Sequence, residues 1–136
     1  MPTDAHQLAR AVARLNRRLR QERHSDLTPT QLSVLGAIRQ LGRATPTAIA
    51  AHERVQPPSI TRSLNCLVDD GYAIREPHPD DGRQVLVSVS EQGEAVLAEE
   101  RERRDQWLAH GLAELTESER ATLEEAAALL ERLSAR

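Results

Sequence analysis

A mainly α fold with one small antiparallel β-hairpin is predicted by three features of this sequence. Proline sits at helix starts in Thr28-Pro29, Thr45-Pro46 and Gln56-Pro57-Pro58, where the first turn has no intrahelical use for its N–H groups. A strand-like alternation follows at 84–89, behind a loop rich in proline and Asp-Gly. Apolar stripes at helical spacing mark both ends of the chain. Three helices, then a hairpin, then more helix describe a winged helix-turn-helix flanked by helical regions.

The first helix is expected over Asp4 to Arg23. Leu8, Val12, Leu15 and Leu19 make one stripe, with arginines elsewhere. A stripe on a terminal helix needs a surface to cover it. Contact with a second copy, with packing on the domain, is the expectation; packing inside one chain is the alternative. Next, Thr28 caps, Pro29 takes the first position and Gln31 completes a capping box. Leu32, Leu35, Ile38 and Leu41 supply the apolar face, and Gly42 stops the helix. Thr45-Pro46 opens a short helix to His52, with Ile49 inward, and Glu53 to Gln56 is the turn. A one-residue strand near Arg43-Ala44 pairs with the hairpin.

The Pro57 helix is the candidate recognition element. Ile60, Leu64 and Leu67 share one face. Stepping about 100° per residue leaves Ser59, Thr61, Arg62 and Asn65 exposed near its N-terminus. Those side chains donate to phosphate or bond base edges. Gly71 is the expected left-handed residue after the helix. The hairpin strands are Tyr72 to Glu76 and Gln84 to Val89, with Val85, Val87 and Val89 on one side and Leu86 and Ser88 on the other. Between them lies Pro77-His78-Pro79-Asp80-Asp81-Gly82-Arg83. Arg83 at a hairpin tip suits a narrow minor groove, and Asp81 is placed to brace its guanidinium by a bidentate bond. His78 is either a contact to phosphate or a loop histidine in solvent.

These residues carry a family likeness. Ile60-Thr61-Arg62, then Leu67, Gly71 and Arg75, then Asp81-Gly82-Arg83, then Val89-Ser90-Glu91-Gln92-Gly93 resemble the MarR family of bacterial transcription regulators. The order of elements matches over nearly the whole chain. The resemblance implies a homodimeric winged-helix protein that binds pseudo-palindromic double-stranded promoter DNA, and it adds Arg75 to the expected contacts. It also implies a small-molecule effector, commonly an aromatic acid or an oxidant in this family; nothing in the sequence selects one.

Ser90 caps the next helix, which is expected from Glu91 to about His110, with Gly111 at its end. The mixed charges at 99–104 support an exposed helix through i,i+3 and i,i+4 pairs. Thr116-Glu117-Ser118-Glu119 is another capping box. Leu123, Ala127, Leu130 and Leu133 stripe the last helix. The resulting division is 1–27 and 91–136 for dimerisation and 28–90 for DNA binding.

Composition narrows the function. The chain has 136 residues and one cysteine, so no internal disulfide is possible. No stretch is long and apolar enough to span a bilayer, and no apolar leader opens the chain; a cytoplasmic protein with no membrane partner is the expectation. The net charge of −3 argues against a chain that coats DNA indiscriminately. Residues 1–24 hold six arginines against two acids, and 91–136 hold six against twelve. Those oppositely charged ends either pair with each other or form solvated faces. His6, His24, His52, His78 and His110 show no ligand spacing. No nucleophile–base pair and no Gly-rich phosphate loop occurs. No metal, no cofactor and no catalytic residue is therefore expected. Cys66 is a redox-sensitive thiol or a semi-buried filler. Trp107 lines an effector pocket or anchors the long helix; the anchor is favoured.

A dimeric DNA-binding repressor is the leading reading. The alternative is a winged-helix protein-interaction module without DNA binding, supported by Asp69, Asp70, Asp80 and Asp81, which repel phosphate. Arg62 together with Arg83 speaks against it.

Overall fold

The computed structural model describes residues 4–136. Among them are six helices and a two-stranded antiparallel sheet: α1 (Ala5–Gln21), α2 (Pro29–Leu41), α3 (Pro46–Glu53), α4 (Pro57–Asp69), β1 (Ala73–Pro77), β2 (Val85–Val89), α5 (Glu91–Ala113) and α6 (Glu117–Ser134). The mainly helical winged fold expected from the sequence is what forms. The chain divides into two compact units, one of Arg23–Glu102 and one of the residues up to Glu22 with Arg103–Arg136.

The first unit holds the winged domain. Its core is aliphatic, built from Leu35, Ile38, Ile49, Ile60, Leu64, Leu67 and Val87, all buried. Local signals set the helix starts as expected. Thr28 Oγ1 accepts from Gln31 N (3.1 Å) and Thr28 N donates to Gln31 Oε1 (3.0 Å), a complete capping box. Thr45 accepts from Ala48 N (3.2 Å) to start α3. After α4, Gly71 has φ +86°. Tyr72 N donates to Leu67 O (2.8 Å) and Gly71 N to Val68 O (3.1 Å), a Schellman closure that the glycine permits.

The apolar face of α2 differs from the expected one. Val34, Leu35, Ala37 and Ile38 are buried, whereas Leu41 has the right angular position but lies on the last turn and is exposed. In the hairpin, Ala73 pairs with Val89, Arg75 with Val87 and Pro77 with Val85. Val87 is fully buried; its neighbours on both faces are half-buried. Ala44 forms the expected single bridge, donating to Val87 O (3.1 Å) and accepting from Val87 N (2.8 Å).

The hairpin base is locked to the start of α5. Ser90 Oγ donates to Gly71 O (2.6 Å) and accepts from Gly93 N (3.1 Å), while Ser90 N donates to Tyr72 O (3.1 Å). A Cβ at Gly93 would collide with the Tyr72 carbonyl and with Val89. The Ser-Glu-x-Gly run therefore has a steric cause: no other residue fits so close to that backbone.

Two expectations for α5 are corrected. The helix passes through Gly111 to Ala113, since glycine inside a helix costs only about 1 kcal/mol. Closure comes later, through Glu114 N to Gly111 O (3.2 Å) and Leu115 N to Leu112 O (3.1 Å). Nor is the 99–104 stretch uniformly solvated. Glu100 is buried, 7% exposed. Its Oε1 accepts from His24 N (3.0 Å) and Ser25 N (2.7 Å). Gly93, Val96, Leu97 and Glu100 follow at intervals of three, one and three, so the inward face of α5 ends on this carboxylate.

The second unit contains α1, the C-terminal part of α5 and α6. Asp4 caps α1 by accepting from His6 N (3.0 Å). Arg18 pairs with Glu22 (2.6 Å) and lies over the Trp107 ring, 4.7 Å from its centre. That contact supports Trp107 as an anchor. Thr116 and Glu119 form the expected capping box, and Arg120 Nη1 donates to Leu112 O (3.2 Å) and Leu115 O (2.5 Å). No residue of α1 or α6 is buried.

Burial alone would raise the Glu100 carboxyl, but the hydrogen bonds from Ser25 and His24 outweigh it and hold the group below its usual value. A depressed carboxylate contributes stability that is present above the unfolded value and lost as pH falls through the folded one. Glu100→Ala is expected to cost about 2 kcal/mol at neutral pH, as for hydrogen bonds to a buried charge. The difference between wild type and variant in urea unfolding should shrink toward acid pH. A difference that stays constant down to pH 3 would rule out the carboxylate as its source.

Candidate nucleic-acid interface

The site begins with how α4 is launched. Pro57 and Pro58 fill its first positions, and Gln56 makes no side-chain cap. The positive end of the helix is thus left toward solvent, where it favours an anion. Ile60, Leu64 and Leu67 are buried, which fixes the rotation of the helix. Ser59, Thr61, Arg62 and Asn65 are exposed, as expected. Thr61 Oγ1 donates back to Pro57 O (3.3 Å), so its oxygen lone pairs are what it offers outward. Cys66 is a half-buried free thiol on the same helix. Asp69 and Asp70 stand at the opposite end of α4 from the prolines, and Asp70 is the cap residue there.

Asn65 and Arg75 are brought together. Arg75 Nη2 donates to Asn65 Oδ1 at 2.7 Å. A guanidinium only donates, so the amide oxygen must face it and the amide NH2 must face away. Arg75 is therefore a brace between β1 and α4 as well as an exposed cation. The spacing of ten residues gives no local pattern from which this pair could be read. Arg43 pairs with Glu76 on the same strand (3.4 Å); neither residue stood out in the sequence.

The hairpin tip is internally bonded. His78 N donates to Gln84 O (3.0 Å) and Gln84 N to Asp81 O (3.0 Å). His78 is half-buried, and its Nδ1 accepts from Asp80 N (3.1 Å) and Asp81 N (3.3 Å). The ring is thus half-buried and not a histidine in open solvent, and a contact to phosphate would fall to Nε2. Asp81 does brace Arg83, but through one oxygen. Oδ1 accepts from Arg83 N (3.1 Å) and Arg83 Nε (3.2 Å), so the contact is not the expected bidentate one. The Arg83 side chain is 92% exposed.

The residues expected to hold a second copy lie on α1 and α6. Leu8, Val12, Leu15, Leu123, Leu130 and Leu133 are exposed, and Leu19 is half-buried. Leu129, four residues before Leu133, joins them at 52% exposed. Among the described residues, no group of three or more His, Cys, Asp or Glu side chains is placed to hold a metal ion. No described helix is long and apolar enough to cross a membrane.

Comparison with known proteins places this geometry. The family model described as "MarR family" matches residues 27–85. A protein of Mycobacterium bovis named as an HTH-type transcriptional regulator is 48% identical over 127 residues, 93% of this chain and 89% of the relative. A mutant MarR from Escherichia coli superposes with TM-score 0.82 at 31% identity, over 98% of each chain. A mutant MarR from E. coli complexed with operator DNA gives TM-score 0.67 at 30% identity, over 96% of this chain and 99% of that one.

The Asn65–Arg75 bond is exposed and charge-assisted, so a double-mutant cycle of Asn65→Ala and Arg75→Ala should return a coupling of about 0.5–1 kcal/mol in chemical unfolding. Additive losses would mean that the bond does not hold β1 to α4 in solution.

Proposed function

The chain belongs to the MarR family of HTH-type transcriptional regulators, and we propose that it acts as a homodimeric repressor that binds a pseudo-palindromic promoter site. Residues 28–90 form the DNA-binding domain in this reading, and 1–27 with 91–136 the dimerisation region. The observation that carries it is the joint exposure of Arg62 on α4 and Arg83 on the wing. A protein-docking wing has no need of both. The E. coli MarR crystallised with operator DNA supports the same assignment.

Each α4 enters a major groove. Thr61, Arg62 and Asn65 read base edges, and Ser59 grips phosphate at the helix N-terminus. Arg83 reaches the flanking minor groove, with Asp81 limiting its freedom. Arg75 adds a cation behind Asn65. Two copies must present their helices about one helical turn, roughly 34 Å, apart. A small-molecule effector that binds one dimer geometry better than the other changes that spacing and so the affinity. Asp69, Asp70, Asp80 and Asp81 do not demand the protein-docking alternative. The first two lie at the far end of α4 and Asp81 is engaged by Arg83.

The uncovered leucines of α1 and α6 support the second copy. A charge placed there should prevent its binding. Leu130→Asp is expected to give a monomer by light scattering; a dimer mass would locate the interface elsewhere.

A gel shift against the DNA upstream of its own gene, at near-physiological salt and with excess competitor, tests the regulator reading. Arg62→Ala should cost about 1–3 kcal/mol of specific binding. Arg83→Ala should weaken binding and flatten any preference for A·T flanks. A folded wild type that retards no duplex, there or after selection from random sequences, would overturn the reading.

A further inference from the structure

We propose that His78 is a positioning residue for Arg83, acting through Nδ1 as the internal acceptor that closes the wing, rather than as a contact to phosphate. The proposal rests on the DNA-binding reading above. Its geometry begins with sequence. Pro79 has no N–H, so the first main-chain donors after His78 are those of Asp80 and Asp81. His78 Nδ1 accepts from both, at 3.1 and 3.3 Å. The Asp81 main chain also accepts from Gln84 N (3.0 Å). The carboxylate of Asp81, held in that way, takes the N and Nε of Arg83 on a single oxygen.

A chain of contacts thus runs from the imidazole lone pair, through the Asp81 main chain and side chain, to the guanidinium. Little else restrains that guanidinium, since its side chain is 92% exposed. Loss of the lone pair would leave two turn N–H groups seeking water and would free the Asp81 carboxylate to move. A narrow groove must then order an arginine that arrives disordered, which lowers affinity.

The chemistry separates the two roles of the ring. An Nδ1 that accepts carries no proton, so the neutral ring has its proton on Nε2. A bond to phosphate would have to come from Nε2. Asparagine places its Oδ1 where histidine has Nδ1, whereas the glutamine amide reaches the position of Nε2. His78→Asn therefore keeps the cap and removes the outward donor; His78→Gln does the reverse.

The test uses the full chain and duplexes selected by the wild type from random sequence. Folding of each variant is checked by circular dichroism. His78→Gln is expected to lose about three- to tenfold in affinity and to flatten the A·T flank preference, with an unchanged salt slope. His78→Asn is expected to restore both. In the DNA-free chain, amide exchange at Asp80 and Asp81 should be slow in wild type and His78→Asn and fast in His78→Gln. The reverse pattern would overturn the proposal: His78→Asn weakened with a salt slope smaller by about one, and His78→Gln unaffected. Equal exchange in all three proteins would also overturn it. If the wild type enriches no duplex, the regulator reading falls and the role toward Arg83 falls with it. Retained affinity and preference in His78→Gln would overturn this inference alone.

Discussion

The hydroxyl of Ser90 sits where three elements must meet. It donates to the Gly71 carbonyl at the exit of α4 and accepts the Gly93 N–H in the first turn of α5. Its own N–H holds the Tyr72 carbonyl beside them. Gly93 lies so close to that carbonyl that no side chain fits. The end of α4, the base of the wing and the launch of α5 therefore meet in one hydrogen-bonded joint. The register of the hairpin follows from it, because Ala73 faces Val89 immediately inside the joint. So does the height at which the tip stands beside α4. A wing can place a cation in a second groove only if its base does not pivot against the helix in the first.

Charge acts here by position and not by amount. The chain is net negative, so non-specific attraction to phosphate is weak across most of its surface. Three exposed cations, Arg62, Arg75 and Arg83, are carried on elements whose orientation is fixed from behind. Arg62 projects from a helix whose rotation is set by Ile60, Leu64 and Leu67. Arg83 is tethered to Asp81, and Arg75 reaches across to Asn65. Asp81 serves as the tether of Arg83 in this arrangement, and Glu76 pairs with Arg43.

Local chemistry explains how much of this was legible in the sequence. Capping residues, prolines and Gly71 act within four residues of their own position, so Thr28-Pro29, Thr45-Pro46, Pro57 and Thr116 marked their helices correctly. The alternation at Val85 to Val89 marked the strand for the same reason. What stayed hidden depends on distant partners. Glu100 reads as one more charge in a charged helix until His24 and Ser25, about 75 residues away, supply its donors. A spacing of three and four from Gly93 does point to it, but only if a glycine is counted as inward. Gly111 misled for the opposite reason: it is a common helix stop with no left-handed conformation here, and the carbonyls beyond it find Arg120. Asn65 with Arg75, on different elements, required the fold to bring them together.

The two units differ in what holds them. The winged unit closes a core in which Leu35, Ile38, Ile49, Leu67 and Val87 are entirely removed from water. In α1 and α6 no residue is buried, and the apolar side chains at Leu8, Val12, Leu15, Leu123, Leu130 and Leu133 stay in solvent. Caps and a cation–π contact of about 1 kcal/mol cannot replace a core. The missing burial must come from another surface. If that surface is a second copy, the stability of these helices depends on protein concentration.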